Sequence, residues 1–193
     1  MDVLLLSERI RKTIELGESQ FREFKSAWEG TPSQKKSRDP KMVARDIAET
    51  LVAFANADGG ELLIGVEDDG TISGINFKDN VISNLFNTPT TGIHPDTPLD
   101  KPICRKVDID GKELLYFSVE KSTTKVHQTS NGKCLQRMDL ENRPVAFENL
   151  VFERQEQISR EYDRQFIEGA LVSDLNISLI KKVSNQITNM SPE

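Results

Sequence analysis

A chain of 193 residues with 36% hydrophobic and 29% charged side chains is long enough for one domain with its own core, and nothing in that balance suggests disorder. No apolar run approaches the ~18 residues of a membrane span, and Val3, Leu4, Leu5 and Leu6 are enclosed by Asp2, Glu8, Arg9 and Arg11, too short a run for a signal peptide, so a cytoplasmic location is the default expectation. Two cysteines, Cys104 and Cys134, are too few for a disulfide scaffold or a four-ligand zinc site, and a net charge of −6 argues against a general nucleic-acid coat while leaving room for a local basic groove.

In chain order, Leu6, Ile10 and Ile14 recur every four residues, with Val3 and Thr13 on the same side, and predict a helix over 3–16 that stops at Gly17. Phe21, Phe24 and Trp28 predict a strand over 21–28. Residues 29–39 hold turn-formers and charges without a large apolar residue, an exposed loop. Asp39 before Pro40 is an N-cap followed by proline at the first helical position, and Met42 or Val43, Ile47, Leu51 and Phe54 carry that helix to about Ala57.

Gly59 and Gly60 then open a near-continuous apolar strand over 61–67, as expected of a central strand covered on both faces, with Gly65 marking a bulge or a close backbone approach. Asp69-Gly70 predicts a hairpin returning through 71–75. A helix over 78–86 and a loop over 87–102 follow; 103–109 and 113–120 form a second hairpin turning at Asp110-Gly111-Lys112. A strand over 133–138 and a helix over 147–157 complete an α+β domain with a mixed, mostly antiparallel sheet and helices packed on it. Beyond it, in an extension over 158–193, Leu171, Leu175, Leu179, Val183 and Ile187 recur every four residues and predict a helix whose apolar face needs a partner.

No P-loop or dinucleotide glycine pattern occurs, and His94 and His127 sit in predicted loops without a partnering cysteine or serine motif. Lys35, Lys36, Arg38, Lys41 and Arg45 fall within eleven residues that contain one acid, Asp39; this is either a solvated loop beside a helix start or a track for a phosphate backbone. Glu23 and Lys25 share a strand face, whereas Glu18 converges on Glu23 only if the chain bends at Gly17 and Ser19. Asp68, between Glu67 and Asp69, is equally a hairpin-corner residue and a candidate metal ligand.

The segments ESQFREFK, AFANADGG and ELLIGVEDDGTISGI together resemble the Schlafen AlbA-like domain, and the resemblance extends more weakly to about residue 157. In the animal Schlafen nucleases, a Glu-x4-Glu-Phe-Lys motif and an aspartate after an Ile-Gly-Val strand form a three-carboxylate site. Carried over, these positions are Glu18, Glu23 and Asp68, with Glu67 and Asp69 as alternatives to the last. The resemblance implies a divalent-metal-dependent endoribonuclease acting on structured RNA such as tRNA, with Mg²⁺ or Mn²⁺ held by hard carboxylate oxygens. Lys25, Lys35, Lys36, Arg38, Lys41, Arg45 and Arg137 are then the candidate nucleic-acid contacts. The alternative is a non-catalytic DNA- or RNA-binding module of a larger regulator or defence protein. A single copy of a signature that Schlafen cores carry in pseudo-repeated halves implies a homodimer or a larger multidomain protein.

Overall fold

The structure is a computed structural model that describes residues 3–31, 34–164 and 176–188. The chain divides into two compact units, residues 1–154 and 155–193.

The first unit is built on a four-stranded sheet of order β1-β4-β6-β5, from β1 (Arg22–Lys25), β4 (Gly59–Ile64), β5 (Ile103–Ile109) and β6 (Lys112–Glu120). β1 runs parallel to β4, and both other pairings are antiparallel. The α+β expectation is met, and the strand after Gly59 is central as its continuous apolar run requires.

Period-two alternation divides the core between the two faces of this sheet. Leu62, Ile64, Leu115, Phe117 and Val119 meet Val43, Ile47, Leu51 and Phe54 of α2 (Pro40–Asn56). Phe24, Leu63, Leu114 and Tyr116 meet Leu6 and Ile10 of α1 (Val3–Leu16). Each fully buried Val, Leu, Ile or Phe contributes about 1.5–3 kcal/mol relative to exposure, so the apolar residues of the α2 face alone outweigh any surface ion pair. Asp39 caps α2 by accepting the Lys41 N–H at 2.9 Å.

Gly65 is a close backbone approach: its φ is +103°, and a Cβ there would lie 2.9 Å from Leu114 Cδ2 and 3.0 Å from the Gly74 carbonyl carbon. The predicted return strand over 71–75 is reduced to one bridge, Val66 to Ile72, because Ile75 N–H is drawn off to Glu113 O at 2.9 Å. The predicted strand over 21–28 is broken: β2 (Trp28–Glu29) leaves the sheet and pairs with β3 (Lys36–Ser37), inside the segment expected to be loop. Trp28 Nε1–H donates to Gly74 O at 2.8 Å, which anchors this small ribbon.

Between β4 and β5 lie α3 (Asp79–Phe86) and the single-turn α4 (Thr88–Thr91), the latter within the predicted loop. β7 (Leu135–Met138) pairs with β8 (Glu141–Pro144), whose exposed polar residues gave no strand signal. Buried Asn56 ties this region to the end of α2: its amide donates to His127 O and Leu135 O, and its Oδ1 accepts His127 N–H, all at 2.8 Å.

α5 (Phe147–Arg164) outruns its predicted end at 157 and crosses the division between the units. In the second unit α6 (Ile177–Thr188) exposes Leu179 and Val183; Leu171 and Leu175 of the predicted helix lie outside the described residues. No described helix is long and apolar enough to cross a membrane.

Candidate functional site

The three expected acids occupy different settings. Glu18, half-buried before β1, accepts the Phe24 N–H at 2.9 Å through Oε1. That bond bends the chain so that Glu18 flanks the strand carrying Glu23. Glu23 is itself buried, on the α2 face of β1, and is ion-paired to Lys25 and to Arg137. Arg137 Nη2 stands 2.5 Å from Glu23 Oε2, outside hydrogen-bonding angles. Asp68 lies past the end of β4 on an exposed turn, with Glu67 and Asp69 committed to holding that turn. Glu67 accepts from Ser26 Oγ at 2.9 Å, and Asp69 Oδ1 accepts the Thr71 N–H at 2.8 Å, a bond that holds the Asp69 carboxyl below the usual carboxylate range. Among the described residues no group of three or more Asp, Glu, His or Cys stands close enough to hold a metal ion.

Glu23 and Lys25 open onto a cleft of about 460 Å³ whose wall includes Asp46, Glu49, Arg137 and Arg143. Its charges are largely spent on one another. Arg38 Nη2 meets Asp46 at 2.7 Å and its Nη1 donates to Ser26 O at 3.1 Å. Arg143 pairs with Glu141 at 2.9 Å.

Arg137, expected as a phosphate contact, has no exposed side-chain surface: besides Glu23 it donates to Ser19 O at 3.1 Å and lies 5.3 Å from the centroid of the Phe54 ring. Its guanidinium is a strut between β7, β1 and α2. Lys35 and Lys36 lie at the surface, 3.7 Å from Glu67 and 3.0 Å from Glu29. Lys41 and Arg45 differ from all of these. They are exposed, one helical turn apart on α2, and have no acidic partner among the described residues.

Across from Lys41 and Arg45 the structure brings in residues of α4 and of the turn before β7. Thr88 and Thr91 of α4 and the Thr129-Ser130-Asn131 turn face them over a second cleft of about 340 Å³. The available signal was compositional, the hydroxyl-rich tracts TPTTG and TSNG; their juxtaposition with α2 is tertiary. His127, expected in a loop, is wholly buried, and burial pushes its pKa down.

A protein-family model described as Schlafen, AlbA_2 matches residues 18–146. Among solved structures, the DIP2311 protein of Corynebacterium diphtheriae superposes with a TM-score of 0.53 at 23% identity, over 71% of this chain and 24% of that one. This is a likeness of fold, and the chain spans about a quarter of that protein's length. The N-terminal domain of a RecG-related protein from Nitrosomonas europaea aligns at 25% identity over 60% of this chain and 72% of that one, with a TM-score of 0.41.

Proposed function

The chain belongs to the Schlafen, AlbA_2 family, and on that premise we propose that its first unit binds nucleic acid through the phosphate backbone. The observation that carries this reading is the split in how cations are used. Arg137, Arg38 and Lys25 are tied to acids inside the fold, whereas Lys41 and Arg45 are presented to solvent without an acidic partner among the described residues. Exposed cations without acid partners are what backbone binding uses, and such contacts position a polyanion without reading its sequence. RNA is the first candidate polymer and DNA the second.

The finer reading, an endoribonuclease cutting structured RNA such as tRNA with Mg²⁺ or Mn²⁺, rests on the resemblance of Glu18, Glu23 and Asp68 to the animal nuclease motif. Glu18 does lie beside the strand that carries Glu23. The residues present nonetheless do not fit a divalent ion: Glu23 is neutralised by two cations, Asp68 stands on a separate exposed turn, and no three-acid group forms among the described residues. A metal ion at Glu23 would first have to displace Lys25 and Arg137, so no catalytic step is derived through one.

The test is an affinity series with a labelled RNA oligonucleotide from low to high salt, run beside incubations with Mn²⁺ and with EDTA. Binding that weakens steeply with salt, leaves the RNA intact in Mn²⁺ and is unchanged by EDTA is the expected result. Cleavage in Mn²⁺ that EDTA abolishes would replace the binding reading with the nuclease one.

A further inference from the structure

The cleft beneath Lys41 and Arg45 is hollow by construction. Lys41, Ala44, Arg45 and Ala48 fall on one stripe of α2, cations toward the rim and small residues toward the floor. Gly92 completes the floor, and a Cβ there would lie 2.9 Å from the Ala48 Cβ and 3.0 Å from Thr88 Cγ2. The opposite wall is braced by backbone: Ser130 N–H donates to Gly92 O at 2.8 Å, His94 N–H donates to Gln128 O at 2.9 Å, and Ile93 bridges Thr129. Two segments distant in sequence are thereby held as one surface facing the helix.

The groups around this space are chiefly donors. Lys41 supplies an ammonium, Arg45 a guanidinium, and Thr88 and Ser130 hydroxyls, while the Thr91 hydroxyl already donates to Asn87 O at 3.1 Å. Thr129 Oγ1 donates to Asn131 Oδ1 at 2.6 Å, which leaves the Asn131 NH₂ to donate elsewhere. Glu49, the one acid in the lining, is taken up by Lys133 at 2.7 Å. The Asp39 carboxylate is engaged by the Lys41 N–H, so the site rests on side chains and not on the free amides of the helix start. Donors arriving from a helix, a short turn and a tight loop suit an anion with oxygens pointing in several directions. That is a tetrahedral phosphate and not a planar carboxylate.

We infer that this cleft is a phosphate subsite that seats one backbone phosphodiester of the nucleic acid, a refinement that rests on the binding reading above. Lys41 and Arg45 supply the charge; Ser130 and Asn131 fix the position of the phosphate through hydrogen bonds.

The test compares RNA-oligonucleotide affinity, by fluorescence anisotropy, for the wild type, Lys41→Gln/Arg45→Gln, and Lys101→Gln/Lys121→Gln. The last pair makes the same charge change in a different cleft. The Lys41/Arg45 pair is expected to weaken binding about tenfold or more and to lower the log–log salt slope by about 1–2, with the control pair changing neither comparably. Equal effects from the two pairs would overturn the subsite while leaving nucleic-acid binding standing. In parallel, inorganic phosphate is titrated into ¹⁵N-labelled wild type, where shifts at the Thr91, Ser130 and Asn131 amides are expected. If the wild type binds no RNA the reading fails, and this arm alone decides: shifts there uphold a phosphate site, and none overturns it.

Discussion

Arg137 Nη2 lies 2.5 Å from Glu23 Oε2, and the two side chains are 0% and 6% exposed. A buried ion pair earns little net stability when intact, but removing one partner strands the other charge in a dry site. Arg137→Ala is therefore expected to cost about 3 kcal/mol, the lower end for a broken buried pair because Lys25 stays on Glu23. The replacement Glu23→Leu/Arg137→Met removes both charges and should recover most of that loss. Urea unfolding of the variants measures both; a loss below about 1 kcal/mol in Arg137→Ala would contradict the assignment.

Asn56 holds three buried backbone groups, His127 N–H, His127 O and Leu135 O, at 2.8 Å each. Asn56→Ala removes this partner from all three, leaving His127 O only the Cys134 thiol at 3.7 Å, and is expected to cost about 2–4 kcal/mol. Asn56→Asp keeps the shape but turns an acceptor toward the two carbonyls, so it should be at least as damaging. Thermal unfolding, with faster hydrogen exchange at the His127 amide, checks this.

Gly65→Ala and Gly132→Ala separate strain from space. Gly132, φ +80°, has nothing within 4 Å of a Cβ, so alanine there should cost about 1 kcal/mol, the left-handed backbone penalty alone. Gly65 adds contacts at 2.9 and 3.0 Å, one of them with backbone, and should cost about 3 kcal/mol. Equal denaturation midpoints for the two variants would contradict the close approach.

His127 gives stability a pH dependence of known sign. Burial lowers its pKa from 6.5, with Arg154 and Lys125 adding to the fall and the Thr97 carbonyl and Asp100 opposing it. The unfolded chain therefore takes up the proton first. The contribution is fully present above about pH 6.5 and declines as pH drops toward the folded pKa, by at most about 1.4 kcal/mol per pH unit. His127→Gln should remove this component, read as the difference between the two stability–pH curves.

Much of the scaffold was legible because local chemistry and global packing agree. Asp39-Pro40 starts α2, Asp110-Gly111 turns the β5–β6 hairpin, and the apolar run after Gly60 is the central strand. β3 and β8 were not legible: neither carries a half-buried apolar pattern, and each exists by pairing with a neighbour already in place. At the candidate site, the acid-poor stretch with Lys41 and Arg45 was visible as composition. The fate of Arg137 was not, since no sequence pattern places Phe54 and Glu23 on either side of it. The hydroxyl-bearing wall was hidden for the same reason, being assembled from segments some forty residues apart, at Thr91 and Ser130.

The most direct test of a phosphate-binding surface on the α2 side is the amide-shift footprint of an RNA oligonucleotide on the ¹⁵N-labelled protein. The account predicts the largest changes at residues 35–45, 88–92 and 129–132, fading as salt is raised. Changes confined to the α1 face, or centred on Glu18, Glu23 and Asp68 with the RNA cut in the presence of Mn²⁺, would contradict it.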